Sequence, residues 1–379
     1  MDELDSIRGL AAMSVLFGHF TGLWLDDTMR ASSHHARQLF TYLTYPFSAG
    51  HEAVVLFFIL SGFVLSIPAI NARAQAYRVF AIRRIFRIYI PYLAALGIAI
   101  LGSAFFHRSV THCELFNSSW SGPVDQHLII QHLTFIGDYP TIQFDPPIWS
   151  LIHEMRISLV FPILCALALR LTPRNSLIAA FGMSLLSGIP NLFLLSLRGT
   201  NSITNSFHYA ALFVVGIYVA RKRTALTDAF NKVSKYARGA IALLSILLYV
   251  YGGYVLKELL AKVSTHSFHL SDWITALGAA CLIVVSLSSS SIHRVLLWFP
   301  IRTLGTMSYS VYLLHYIVML LLVHLLYGKL PLLVIFSFCI VVVLAVSRAF
   351  FLFVETPAIA MGRRLSQTQI EKSEVALIP

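Results

Sequence analysis

Residues 332–354 read LLVIFSFCIVVVLAVSRAFFLFV, and Arg348 is the only charge in the run. Roughly 20 apolar residues in helical form cross the hydrocarbon core of a bilayer, because a helix rises about 1.5 Å per residue and satisfies its own backbone hydrogen bonds. A run of this length and composition therefore reads as a membrane-spanning helix. Outward from it, similar runs lie near residues 10–25, 51–67, 89–106, 148–169, 177–197, 207–220, 241–256, 273–287 and 308–327. With 57% hydrophobic and only 12% charged residues, the chain carries more apolar surface than a water-soluble fold can hide. The expectation is an all-α, polytopic membrane protein of about ten transmembrane helices in a single domain spanning residues 1–379. Its helical core runs from about 7 to 356, and residues 357–379 form a short tail.

Net charge is +11, and its placement decides its meaning. Of the 28 lysines and arginines, nineteen fall on the side of the N-terminus, among them the run Arg221-Lys222-Arg223. Seven fall on the other side: Arg30, Arg37, Arg108, Arg198, Lys257, Lys262 and Lys329. Arg156 and Arg348 lie inside spans. This asymmetry follows the positive-inside rule and puts both termini in the cytoplasm. Topology thus accounts for the basic excess, and nucleic acid is not expected as a partner. Cys165, Cys281 and Cys339 fall in spans and Cys113 in a loop, so no pair is placed for a disulfide, and no metal-ligand spacing appears. The acidic start from Met1 to Asp5 lacks the basic region of a cleaved leader, so the first apolar run reads as a retained helix. Asn117-Ser118-Ser119 matches a glycosylation sequon by chance.

Two connections stand out. Residues 107–147 form the longest non-membrane stretch, outside, with Glu114, Asp125, Asp138 and Asp145 and a short amphipathic segment at 127–136. Residues 71–87 lie inside and carry Arg73, Arg78, Arg83, Arg84 and Arg87 in a helix-compatible stretch. Anchoring to anionic lipid is a sufficient reason for such bases.

Ionisable groups within spans cost on the order of 2.5 to 3.5 kcal/mol each, which makes His19, Glu154, Arg156, His315 and Arg348 functional candidates. Arg8 and His19 are eleven residues apart. At about 100° per residue they share nearly one helix face, separated by a rise of about 16 Å. A guanidinium suits a phosphate or carboxylate, and an imidazole suits proton transfer near neutral pH. Equally, Arg8 can be an anchor and His19 a hydrogen-bonding partner of a neighbouring helix. Glu154 enters its span just after Pro146-Pro147, about one turn below the surface. It is suited to orienting an imidazole or binding an acceptor hydroxyl. It does not face Arg156 two residues on, so Arg156 pairs elsewhere, and His153 reaches the water interface. Before His315, Gly305 and Ser308 read as small residues for close helix packing.

Four segments then occur in order: Leu4-Asp5-Ser6-Ile7-Arg8-Gly9-Leu10-Ala11-Ala12 leading to His19; Phe57-Phe58-Ile59-Leu60-Ser61-Gly62-Phe63; Trp149-Ser150-Leu151 with Glu154 and Pro162; and Ser308-Tyr309-Ser310-Val311-Tyr312-Leu313-Leu314-His315. Together they resemble the acyltransferase 3 family, integral membrane acyltransferases that decorate bacterial exopolysaccharides, lipopolysaccharides and related glycans. The resemblance implies His19 as the catalytic histidine with Glu154 beside it, and Arg8, Arg84 and Arg87 as ligands of the phosphates of acyl-CoA. It implies a substrate cavity lined by Ser61, Tyr309, Tyr312 and His315. The pair Arg84 and Arg87, three apart, matches the family's inside loop. Where many members have Phe-Tyr after the glutamate, this chain has Arg156-Ile157-Ser158, a departure that bears on subfamily and acceptor. No SGNH-type domain of the kind some members carry is expected here.

The function so implied is transfer of an acyl group, acetyl foremost, from acyl-CoA to a glycan hydroxyl in the bacterial cytoplasmic (inner) membrane. Acyl-CoA enters as donor substrate, with no permanently bound cofactor or metal. The expected partners are the glycan or its lipid-linked precursor, membrane lipid and glycan assembly proteins. Intramembrane His, Glu and Arg also suit a transporter or flippase, although no pair of Gly/Pro-broken spans recurs in two halves. A non-enzymatic assembly partner in glycan export is the third reading.

Overall fold

A computed structural model describes the chain from Asp2 to Val375, apart from Ala74, residues 107–109, Asp138, residues 188–201 and residues 261–266; of residues 260, 267–268 and 368–375 it describes the backbone only. Arg108, Asp138, Arg198, Lys262 and the second half of the expected span at 177–197 therefore lie outside the described residues.

The apolar runs form long helices: α1 (Asp2–Asp27), α2 (His34–Ile70, interrupted at Ala49), α3 (Tyr77–Phe105), α4 (Ile148–Arg170), α5 (Pro173–Ser187), α6 (Ile203–Lys232), α7 (Lys235–Leu259), α8 (Ser267–Ser288), α9 (Ser308–Leu326) and α10 (Leu332–Gln367). Eight of them, all but α1 and α5, are long and apolar enough to cross a membrane. α1 is a continuous helix as expected, but its acidic first turn, His19 and the closing Asp26-Asp27 lower its mean hydropathy. Among the described residues there is no β-strand, only an isolated bridge between Tyr327 and Leu330. The protein is an all-α, multi-pass membrane protein.

Its contacts divide it into two compact units that alternate along the sequence. Unit one comprises Met1–Gly18, Gln38–Arg73 and Ile163–Ser308; unit two comprises His19–Arg37, Ala74–Pro162 and Tyr309–Pro379. In unit one α6 packs against α2, α5 and α8. Glycine sets the spacing: a Cβ on Gly62 would collide with the backbone of Phe213, and one on Gly216 with that of Ile59. Gly9 and Gly305 meet in the same way, so Gly305 serves close packing as its sequence context suggests. Ser202 caps α6 and Ser234 caps α7, each accepting a backbone N–H of the first turn.

In unit two α3 packs against the C-terminal turns of α10, where the Phe86 side chain fills the space a Cβ on Gly362 would take. The connection at 107–147 is structured in its described residues. It folds into unit two and buries Cys113, Phe116, Trp120, His132, Phe144 and Asp145. Trp120 donates its indole N–H to the Phe144 carbonyl at 3.0 Å and fills the space beside Gly102. The amphipathic segment forms as a helix, Gln126–Thr134, with Asp125 as its N-cap and Phe135 (φ 57°) at its end. It buries Leu128 and His132 and leaves Ile130, Leu133 and Ile136 exposed.

Candidate functional site

Seven of the expected site residues, His19, Arg84, Arg87, Glu154, Tyr309, Tyr312 and His315, fall in unit two. Arg8 and Ser61 belong to unit one, where Arg8 pairs with Asp5 one turn away at 2.9 Å and Ser61 is buried on α2. The site is therefore built from unit two.

α9 organises it. Tyr309, Tyr312 and Tyr316 recur at helical spacing, and His315 follows Tyr309 by about 9 Å of rise, so the helix addresses two levels. At the first level Tyr309 donates its hydroxyl to the Ile88 carbonyl at 2.7 Å. Ile88 lies in a π-helical turn, Ile85–Tyr89, which interrupts α3 and contains Arg87. Such turns offset the backbone register and recur at functional sites. Arg84, just before the turn, is buried and directs one Nη to Glu154 at 3.1 Å and to Ser158 at 2.6 Å. Glu154 thus pairs with Arg84 of α3. Arg87 is exposed. A second π turn, Phe351–Glu355, ends in a buried Glu355 that accepts the Ser310 hydroxyl at 2.6 Å.

At the second level, the His19 ring lies 5.5 Å from His315 and 4.7 Å, edge-on, from Tyr316. His19 is partly exposed and His315 fully buried. His315 Nδ1 faces the carbonyls of Tyr312 at 2.7 Å and Val311 at 3.2 Å. Carbonyls only accept, so Nδ1 carries the proton and a neutral His315 offers the Nε2 lone pair. Among the described residues that nitrogen has no hydrogen-bond partner. Tyr312 ties this level to the Trp149-Ser150-Leu151 segment: its hydroxyl is 2.6 Å from Ser150 Oγ and 3.1 Å from the Pro147 carbonyl.

The remaining intramembrane charges take other roles. Arg156 donates to the carbonyls of Phe135 and Gly137, just past the C-terminal end of the Gln126–Thr134 helix. Arg348 lies 5.6 Å from the Phe351 ring centre as a cation–π partner. His153 is buried rather than at a water interface.

Three groups escaped the sequence reading. Glu355 follows the last apolar run at the end of the expected helical core; the signal was a carboxylate in the final turn of a spanning run. His132 and Asp145 sit in a segment that reads as an external loop. Burial holds the His132 imidazole down at about 4 and pushes the Asp145 carboxyl well above the usual carboxylate range. In each case burial disfavours the charged form.

Within unit two, then, one level gathers guanidinium groups suited to a phosphorylated ligand, and the next gathers imidazoles suited to proton transfer or nucleophilic attack. A family model described as an acyltransferase domain, Acyl_transf_3, matches residues 1–351. No curated protein and no solved structure matches the chain.

Proposed function

The chain belongs to the Acyl_transf_3 family and is a membrane acyltransferase; from that premise we propose that it moves an acyl group, acetyl foremost, from acyl-CoA to a glycan hydroxyl. The acceptor is a cell-surface glycan or its lipid-linked precursor, and the site of action is the bacterial cytoplasmic membrane. The observation that carries the proposal is the half-open His19 ring set against His315 in the unit that also holds Arg84, Arg87 and Glu154.

In this reading the exposed Arg87 meets the phosphates of acyl-CoA as a fixed cation. Arg84, braced by Glu154 and Ser158, holds a second positive charge beside it. Arg8 and Ser61 enter through the family resemblance alone. The acceptor hydroxyl attacks the thioester carbonyl while His19 takes its proton. Collapse of the tetrahedral intermediate expels CoA thiolate, which recovers the proton from the imidazolium. His315, neutral, accepts a hydrogen bond at Nε2, and Tyr312 lines the same cavity. Membrane lipid and glycan assembly proteins are the further partners of this reading.

Purified His19→Ala protein should keep its melting transition and lose transfer from radiolabelled acetyl-CoA by about a hundredfold or more. Normal turnover in that variant removes the catalytic assignment. Label retained covalently on denatured wild-type protein, before any acceptor is added, would make His19 a nucleophile instead of a base.

A further inference from the structure

Asp145 is fully buried, and among the described residues neither of its carboxyl oxygens has a hydrogen-bond partner. A buried polar group left unpaired costs stability, so one that persists calls for a partner from outside the fold. It is not alone. His132 Nε2 and His315 Nε2 are also buried without partners. Short contacts connect the three positions within unit two. The His132 ring is 5.0 Å from Phe144, the residue before Asp145. The Pro147 carbonyl, two residues after Asp145, takes the Tyr312 hydroxyl, and the Tyr312 ring is 5.8 Å from His315. Asp145 also lies within electrostatic reach of Tyr312 and Tyr316, the tyrosine whose ring abuts His19.

We propose that Asp145 binds the acceptor, hydrogen-bonding a hydroxyl of the incoming glycan in a polar cluster shared with His132 and His315. The inference rests on the acyl-transfer reading above and adds to it the binding side that reading leaves unassigned. A carboxyl suits this ligand because its protonated form both donates and accepts, matching the two roles of a sugar hydroxyl. The two imidazole nitrogens offer further acceptors. The donor makes a poorer occupant. Its charged end requires cations, and the Arg84 guanidinium lies with Glu154 at the other level of α9, the level of Tyr309. Asp145 also sits on the segment at 107–147, which the charge asymmetry assigns to the side opposite the arginines.

The test uses full-length protein in detergent, [14C]acetyl-CoA as donor and a cell-envelope glycan extract as acceptor. Asp145→Leu removes the polar group, and Asp145→Asn keeps a neutral donor and acceptor of the same shape. In the Leu variant the half-saturating acceptor concentration should rise on the order of tenfold. The KM for acetyl-CoA should stay at its wild-type value. The apparent Tm should rise by a few degrees, because an unpaired buried group has been replaced by an apolar one. The Asn variant should stay within about threefold of wild type for acceptor.

An unchanged acceptor requirement in Asp145→Leu, or an effect confined to acetyl-CoA, overturns the proposal while leaving acyl transfer intact. So does a Leu variant without a melting transition beside an Asn variant of wild-type stability, since the carboxyl would then be a structural partner. Failure of wild-type protein to label any glycan overturns the acyl-transfer reading itself, and this one with it.

Discussion

In unit one the buried polar groups around Asp272 close on one another, whereas in unit two those around Asp145 are left open. Asp272 on α8 accepts from His51 Nε2 on α2 at 2.7 Å and from His208 Nε2 on α6 at 3.0 Å. Ser184 on α5 lies 2.7 Å from His208 Nδ1 and accepts the Trp273 indole N–H at 3.0 Å. Donor follows acceptor along this chain, and it joins four helices. Unit two instead buries Asp145, His132 and His315 with polar atoms unmet, and braces Arg84 against Glu154 beside an exposed Arg87. Hydrogen bonds between apolar helices hold them together and fix their register. Polar groups held ready without partners are what a binding site requires. Both patterns place ionisable residues in apolar surroundings, and the accounting of their hydrogen bonds distinguishes the chain around Asp272 from the cluster around Asp145.

Asp272→Ala should have the largest effect on stability. Breaking one side of a buried pair strands the other, and the loss should be on the order of 3 kcal/mol, read as a lower midpoint of thermal unfolding in detergent. A variant as stable as wild type would mean that the chain in unit one is not scaffold, and the comparison would collapse.

The arginines sharpen the contrast within unit two. Arg84→Ala should cost about 2 kcal/mol by leaving Glu154 without its cation. Adding Glu154→Gln should restore part of that, so that a double-mutant cycle returns a coupling of about 1 kcal/mol. Arg87→Ala should leave stability within about 0.5 kcal/mol. It should instead raise the KM for acyl-CoA, with kcat little changed. If the two arginines respond alike, the division between a bracing and a binding guanidinium is wrong.

The helices were legible because membrane insertion demands long apolar runs, and α2 to α4 and α6 to α10 follow them closely. His19, His315 and Glu154 stood out as candidates because charge is costly there. The polar chain of unit one was less so. His51 and Asp272 sit at the edges of their apolar runs, where a charge reads as a boundary, and His208 stands one residue inside its own. Asp145 and His132 were hidden for a different reason. Their segment has neither the length nor the periodicity of a span, and its burial comes from Trp120, Phe144 and Tyr92 packing around it, which no local pattern announces. Glu154 was found, but its partner Arg84 is 70 residues away, and pairing over that distance is a property of the fold.

Tyr309→Phe should have a small effect and tests how the two levels of α9 are joined. It removes a single hydroxyl from the Ile88 carbonyl, worth about 1 kcal/mol. If that bond only satisfies a carbonyl offset by the π turn, stability falls slightly and kinetics hold. Arg87 belongs to the same turn, however, so loosening Ile85–Tyr89 should spread the positions the guanidinium samples. The KM for acyl-CoA should then rise about two- to threefold while the acceptor requirement stays put. That split would place the π turn on the donor side of the site, whereas a matching rise for the acceptor would mean that α9 transmits strain to both levels and that they do not act separately.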